Sequence, residues 1–213
     1  MTTEMPVGQR MVERKPGLGK RRRKGGDGDV EVFCIDEQTD CRLDLDVWRE
    51  LVLSALRDEG VSGQAELTVV FVDEGHMATL NAQYMGKTGP TDVLAFPIDA
   101  VEAEIANGPG AITRGPDRPD IDFSDLPLLL GDVVVCPTMA QKQFHDHAGT
   151  FYDEMALLLV HGVLHIMGYD HMEQDDRRIM QQRERNILEA HHWHGAAPQS
   201  FRQDHSYQGP EVQ

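Results

Sequence analysis

Cysteine and long apolar runs are both scarce in this 213-residue sequence. Its three cysteines, Cys34, Cys41 and Cys136, are an odd number without a C-x-x-C pair, which argues against a disulfide framework and a thiolate zinc site. No apolar run approaches the roughly 20 residues that cross a bilayer, and the N-terminal charges are not followed by the apolar segment of a secretory signal. These absences predict a cytoplasmic protein with packed thiols and without a membrane partner.

Positive charge is scarce outside the N-terminal region. Residues 1–28 hold eight Lys/Arg against three Asp/Glu, so that residues 29–213 carry −21 within a chain of net charge −16. We predict that residues 1–28 form a basic, disordered extension, because the basic run 20–24 lies between glycines. This run is either a nonspecific phosphate contact or a solubilising tail. The acidic remainder counts against nucleic acid as a partner, so an RNA-binding hypothesis needs independent support.

Hydrophobic periodicity predicts one domain with a small β-sheet. Alternating and β-branched patterns favour strands at 30–35, 66–72, 91–97 and 128–136, the last with a break at Gly131. Helical spacing and capping residues favour five helices, at about 45–59, 74–85, 137–147, 151–167 and 173–190. This order predicts an α+β fold in which a mixed sheet of about four strands packs with about five helices. The apolar stripe of the last helix is predicted to be Ile179, Met180, Ile187 and Leu188.

The folded domain is predicted to span residues 29–192. Residues 99–125 contain three prolines, three glycines and many acids without periodicity, which is typical of a flexible insertion between two strands. The polar segment 193–213 is predicted to be a disordered tail.

Three histidines form the most informative pattern. His161 and His165 are four residues apart, which places both imidazoles on one face of a helix. Gly168 can adopt the left-handed conformation that ends the helix, so that the chain folds back and presents His171. Three neutral nitrogens and an open fourth position are what a hydrolytic zinc ion requires. We predict a metal site on this helix of the C-terminal half and on the turn after it.

The position after the first histidine distinguishes two enzyme classes. The spacing H-x3-H-x2-G-x2-H is that of the metzincin proteases, but Gly162 occupies the position of their general-base glutamate. No side chain replaces this base unambiguously. Asp170 is a catalytic candidate that can accept the second ring hydrogen of a ligand or cap the final helix, and His145 is another candidate.

The segment 84–92, YMGKTGPTD, connects a predicted helix to a strand. Its glycines and proline are explained by turn chemistry alone. Only Lys87, Thr91 and Asp92 suggest a further role, in substrate binding.

Three ordered blocks between about residues 66 and 175 are similar to a known family. The first is HGVLHIMGYDH at 161–171, the second is LN followed by Y at 80–84 with PTDVLAFP at 90–97, and the third is LGDVV at 130–134. With these blocks the sequence resembles the YbeY family of bacterial rRNA maturation factors, which are regarded as zinc-dependent endoribonucleases. Residues 1–28, the insertion and the tail lie outside the resemblance.

The resemblance implies that His161, His165 and His171 ligate one Zn²⁺ ion per chain. It also implies a cytoplasmic role in maturation of the 3′ end of 16S rRNA and in clearance of defective ribosomes. Many relatives carry an arginine at the position of Val70 and another at that of Met85, so this chain lacks two cations that the family places near RNA.

We therefore predict a single-strand-specific endoribonuclease that acts on ribosomal RNA within the small ribosomal subunit. A small-subunit ribosomal protein and a ribosome-associated GTPase are further expected partners. One alternative is an assembly factor whose zinc is structural and which recruits another nuclease, since an acidic body suits basic ribosomal proteins. The other is a metallopeptidase with the same ligand spacing.

Overall fold

The computed structural model describes residues 28–98 and 127–203. The four strands are β1 (Val30–Asp36), β2 (Ala65–Phe71), β3 (Val93–Pro97) and β4 (Leu128–Val135). The helices are α1 (Leu45–Asp58), α2 (Glu74–Leu80), α3 (Pro137–Gln143), α4 (Phe151–Ile166) and α5 (Gln174–His191), and α2 continues into a π-helical turn at Asn81–Met85. The predicted α+β fold is therefore confirmed.

The sheet is mixed and has the order β1-β2-β4-β3. Strands β1, β2 and β4 are parallel, and β3 pairs with β4 in the antiparallel direction. The register between β2 and β4 shifts at Leu130, which lies opposite no residue of β2. Gly131 follows with φ +140°, and a Cβ there would lie 2.3 Å from the Phe96 carbonyl oxygen, so only glycine permits this close pairing of β3 with β4. The break predicted at Gly131 is thus a β-bulge.

The main core lies between one face of the sheet and helices α1 and α4. Along β2 the side chains alternate, and Ala65, Leu67, Val69 and Phe71 point into this core. Helix α4 is apolar on almost every side and is buried from Asp153 to Leu164, as expected for a helix covered on several faces. A smaller cluster, in which Met77 of α2 packs on Leu94 and Val134, covers part of the opposite face.

Helix starts follow the capping residues of the sequence. The carboxylates of Asp44 and Asp73 accept hydrogen bonds from the backbone N–H of Asp46 and His76. Thr150 Oγ1 accepts from the Asp153 N–H and donates to the Asp153 carboxylate, which fixes the start of α4. These local bonds determine where helices α1, α2 and α4 begin.

Two details of the helices differ from the sequence prediction. Helix α3 ends at Gln143 rather than near His147, because the chain turns there and the Ala148 N–H donates to the buried Glu154 carboxylate. Ile179 is not part of the buried stripe of α5 and is 55% exposed. It precedes Met180 by one residue, which rotates it about 100° away from the packed face.

The tail predicted from residue 193 is wrong for its described part. Trp193 donates its ring N–H to Asp153 at the start of α4 and packs edge-on against Phe201, which is buried. Residues 193–203 therefore extend the folded domain over α4 and α5. The remainder of the tail, the 99–125 insertion and residues 1–27 of the basic extension lie outside the described residues. Within the described ranges, no helix has the length and apolar character to cross a membrane.

Candidate metal centre

Helix α4 and the turn after it bring the three histidines together. His161 and His165 lie on the last turns of α4, and the helix ends at Ile166. Gly168 has φ +89°, so the chain reverses direction there, and the Tyr169 N–H donates to the Leu164 carbonyl. This reversal places His171 beside the helix. One nitrogen of each imidazole lies within 4.8 Å of the other two, a group that could hold a metal ion.

Hydrogen bonds determine which ring nitrogens face the centre of this cluster. His161 Nδ1 lies 2.7 Å from Glu184 Oε1, and His165 Nδ1 lies 3.0 Å from the Tyr169 carbonyl oxygen. Both partners are acceptors when Glu184 is ionised, so each Nδ1 carries the proton and each Nε2 presents a lone pair. The two Nε2 atoms lie 3.0 Å apart. Two lone pairs at that distance repel each other unless a cation lies against both, and the donor set therefore fits a metal ion.

Burial keeps these imidazoles neutral. Loss of solvation, helped by the nearby imidazole of His171, lowers the pKa of His161 from 6.5 to about 4. Loss of solvation also lowers the pKa of His165 to about 4, with the other two histidines contributing. Asp92 opposes the shift at His161, which places its negative charge near the cluster. Both rings are thus available as neutral ligands at pH 7.

Gly162 of α4 faces the sheet. A Cβ at this position would lie 2.5 Å from Cγ1 of Val133 on β4 and 3.4 Å from Cγ2 of Val93 on β3. No side chain fits there without moving the helix away from the strands. The missing protease glutamate is therefore explained by packing, because the position is sterically closed to it.

The two catalytic candidates, Asp170 and His145, lie in exposed positions. The Asp170 carboxylate accepts from the backbone N–H groups of His171 and Met172 and thus fixes the turn, rather than capping α5, which begins at Gln174. Its charge does reach His165, whose pKa it raises slightly against the larger effect of burial. His145 is exposed and packs against Phe144, with ring centroids 3.8 Å apart. Their catalytic roles remain predictions.

The candidate substrate residues lie between α2 and β3. Thr91 Oγ1 donates to Asp92 Oδ1, which also accepts from the Val93 N–H at 2.8 Å. Asp92 Oδ2 accepts from the side chain of Gln143, which also donates to the buried Glu154. This chain of bonds holds Asp92 rigidly at the start of β3. Lys87 lies exposed in the preceding turn, and substrate contact by these residues remains a prediction.

Glu184 is a site residue that sequence reasoning missed. It comes from α5, 23 residues after His161, and is only 1% exposed. The sequence does contain a signal, since Glu184 lies four residues from both Met180 and Leu188, in the middle of the buried arc of α5. A glutamate at such a position requires a buried hydrogen-bond partner.

Val70 and Met85 stand where the family resemblance places arginines, and their surroundings differ. Val70 of β2 is partly buried against the cluster of Met77 and Leu94, whereas Met85 is 46% exposed at the end of the π-helical turn. Only the second position could accommodate a long cationic side chain without repacking.

Comparison with known proteins agrees with this geometry. The chain matches the family described as Endoribonuclease YbeY over residues 34–192. It is 42% identical over 146 residues to an Endoribonuclease YbeY of Salinispora tropica, which covers 68% of this chain and 87% of that protein. It is 39% identical to an Endoribonuclease YbeY of Mycolicibacterium vanbaalenii, with 77% and 83% covered, and 34% identical to one of Staphylococcus aureus, with 75% and 97% covered. The chain therefore belongs to the YbeY endoribonuclease family.

Proposed function

We propose that this protein is a single-strand-specific endoribonuclease with a three-histidine zinc site, which acts in the cytoplasm on the 3′ end of 16S rRNA and in ribosome quality control. The observation that carries the proposal is the convergence of His161, His165 and His171 within a family of endoribonucleases. The small ribosomal subunit, one of its proteins and a ribosome-associated GTPase are the proposed partners.

Two of the three histidines already have the tautomer and the charge that a zinc ligand needs. His161 and His165 are fixed at Nδ1 and neutral at pH 7, so neither a ring flip nor a proton loss precedes binding. A bound zinc ion would lower the pKa of water or stabilise negative charge on a phosphoryl oxygen. Three protein ligands leave the open position that this chemistry needs.

Two carboxylates near the cluster affect how RNA can approach. Asp92 and Asp170 both influence the imidazoles electrostatically, so a phosphate meets negative charge from the start of β3 and from the turn after α4. Neutralisation by the metal is therefore required before a phosphodiester can bind closely. Single-stranded RNA is favoured as substrate because its flexible backbone can follow the surface beside α4 and the turn after it.

The metallopeptidase alternative is disfavoured by packing. The position of its general base, Gly162, faces Val133 at a distance that admits no side chain. A peptidase would need its base from another part of the site.

The assembly-factor alternative rests on charge. Val70 and Met85 stand where the family resemblance places arginines, and the chain carries a net charge of −16. An acidic protein with a structural zinc would bind basic ribosomal proteins and leave cleavage to another enzyme.

Cleavage assays on histidine variants distinguish these functions. We expect wild-type protein with zinc to cleave a fluorescent single-stranded RNA but not the same RNA in a duplex or a peptide library. His161→Ala and His165→Ala should lose at least about 100-fold in rate, because the metal provides the chemistry. His76→Ala, which removes a largely exposed imidazole on α2, is the matched control and should retain the rate. Cleavage that persists in folded His161→Ala and His165→Ala proteins would favour the assembly factor, and peptide cleavage alone would favour the peptidase.

A further inference from the structure

We infer that Glu184 is the positioning residue of the metal centre and that Gln203 holds it in place. This inference rests on the proposed function, because it concerns the zinc ligand His161. Glu184 contacts His161 at Nδ1, whereas the Nε2 atom of this ring faces His165. The effect of Glu184 is transmitted through the Nδ1 atom of His161.

The contact between Glu184 and His161 is short and shielded from water. Glu184 Oε1 lies 2.7 Å from His161 Nδ1, and the two side chains are 1% and 10% exposed. A carboxylate in this position keeps the proton on Nδ1 and directs Nε2 towards the other ligands. It also makes the imidazole a more basic ligand and supplies negative charge to the positive metal site.

The second carboxylate oxygen is held by the C-terminal segment. Gln203 Nε2 donates to Glu184 Oε2 at 3.2 Å and to the Gln181 carbonyl at 2.7 Å. The Gln181 side chain donates in turn to the Gln203 carbonyl at 3.3 Å. These reciprocal bonds attach residue 203 to α5, beside the carboxylate. The line of contacts Gln203–Glu184–His161 therefore connects the segment after α5 to the metal ligand.

His165 is oriented by a different partner, so the orientation of His161 can be changed by mutation without changing that of His165. Its Nδ1 partner is the backbone carbonyl of Tyr169, a neutral group. Tyr169 is itself fixed by a hydrogen bond from its hydroxyl to Glu59, which also pairs with Arg183. A change at Glu184 thus removes the charged partner of His161 and leaves the Tyr169 carbonyl in place as the partner of His165.

Zinc affinity of the full chain tests the inference. Glu184→Ala should weaken zinc binding about 10- to 100-fold, measured by competition with a chromogenic chelator. Glu184→Gln should weaken it less, because the amide oxygen still accepts from Nδ1–H but lacks the charge. Gln203→Ala should have a smaller effect than Glu184→Ala. Glu189→Gln is the matched control on the same helix and should leave the affinity unchanged.

Two further measurements separate positioning from a general loss of stability. The zinc-induced rise in Tm should shrink in Glu184→Ala and Glu184→Gln, whereas a purely structural role would lower the Tm of the metal-free and zinc-bound forms equally. Nitrogen-15 spectra of the metal-free protein should show His161 protonated at Nδ1 in the wild type and redistributed towards Nε2 in Glu184→Ala. If Glu184→Ala does not fold, the same measurements on Glu184→Gln test the inference.

The outcomes distinguish this inference from the proposed function. Wild-type protein that binds no zinc would refute the proposed function, and the tautomer of His161 would still test the role of Glu184. Wild-type protein that binds zinc, together with folded Glu184 variants of equal affinity and equal Tm rise, would overturn the inference alone.

Discussion

Substitution of Gly162 by alanine tests the contact that joins the metal helix to the sheet. The added Cβ would lie 2.5 Å from Val133 Cγ1, whereas carbon atoms pack at about 3.5–4.0 Å, so α4 and β4 must separate by roughly 1 Å. Alanine is favoured over glycine in a helix by about 1 kcal/mol, but overpacking costs about 1–3 kcal/mol. Because Val133 lies on an inner strand, overpacking dominates, and we expect a net loss of about 1–2 kcal/mol.

A double-mutant cycle isolates this contact. The free energy of unfolding is measured in urea, with zinc removed, for the wild type, Gly162→Ala, Val133→Ala and the double variant. Val133→Ala should destabilise the protein alone, since it opens a cavity. In its background, Gly162→Ala should be neutral or stabilising by up to about 1 kcal/mol, because only the helix preference remains. The two substitutions should therefore be coupled by about 2 kcal/mol.

The same variant also reports on the metal site. A displacement of α4 carries His161 and His165 away from His171, so zinc affinity should fall in Gly162→Ala and recover in the double variant. A single variant that is more stable than wild type by about 1 kcal/mol, with unchanged zinc affinity, would refute the close approach and the steric exclusion of a protease base.

Two other properties can be tested directly. Met85→Arg restores a cation at an exposed position, so we expect tighter binding of single-stranded RNA and a salt slope steeper by about 0.7 for one added phosphate contact. Val47→Arg on α1 is the control, and an equal effect of both would show nonspecific attraction. In the metal-free protein the buried His161 resists protonation down to about pH 4, whereas the unfolded chain takes up this proton near pH 6.5. The free energy of unfolding should therefore fall as pH drops through this range, and a flat profile in urea titrations would contradict the depressed pKa.

Local features of the fold could be predicted from the sequence because they depend on near neighbours. The caps at Asp44 and Thr150 act within three residues, and the bulge follows from Gly131 in a β-branched run. The spacing of the histidines likewise depends only on one helix and the turn that follows it. Each of these patterns is contained within a short stretch of chain.

The remaining features depend on contacts between distant segments. The strand order β1-β2-β4-β3 requires a crossover that the linear pattern does not encode. The pairing of Glu184 with His161 depends on how α5 crosses α4, and the exposure of Ile179 depends on the rotation of α5 about its axis. The burial of Phe201 could not be predicted, because its neighbours in the sequence are polar and the side chain packs against a distant part of the fold.

The position of Glu184 and Gln203 in chain order has a consequence for biosynthesis. A chain is synthesised from its N-terminus, so all three imidazoles exist before α5 has been made. At that stage His161 lacks its Nδ1 partner, and the segment that holds this partner follows 19 residues later still. Metal loading in the orientation described here thus depends on synthesis of the chain through residue 203. A nascent protein would acquire the complete centre only after α5 and the segment up to residue 203 have been made.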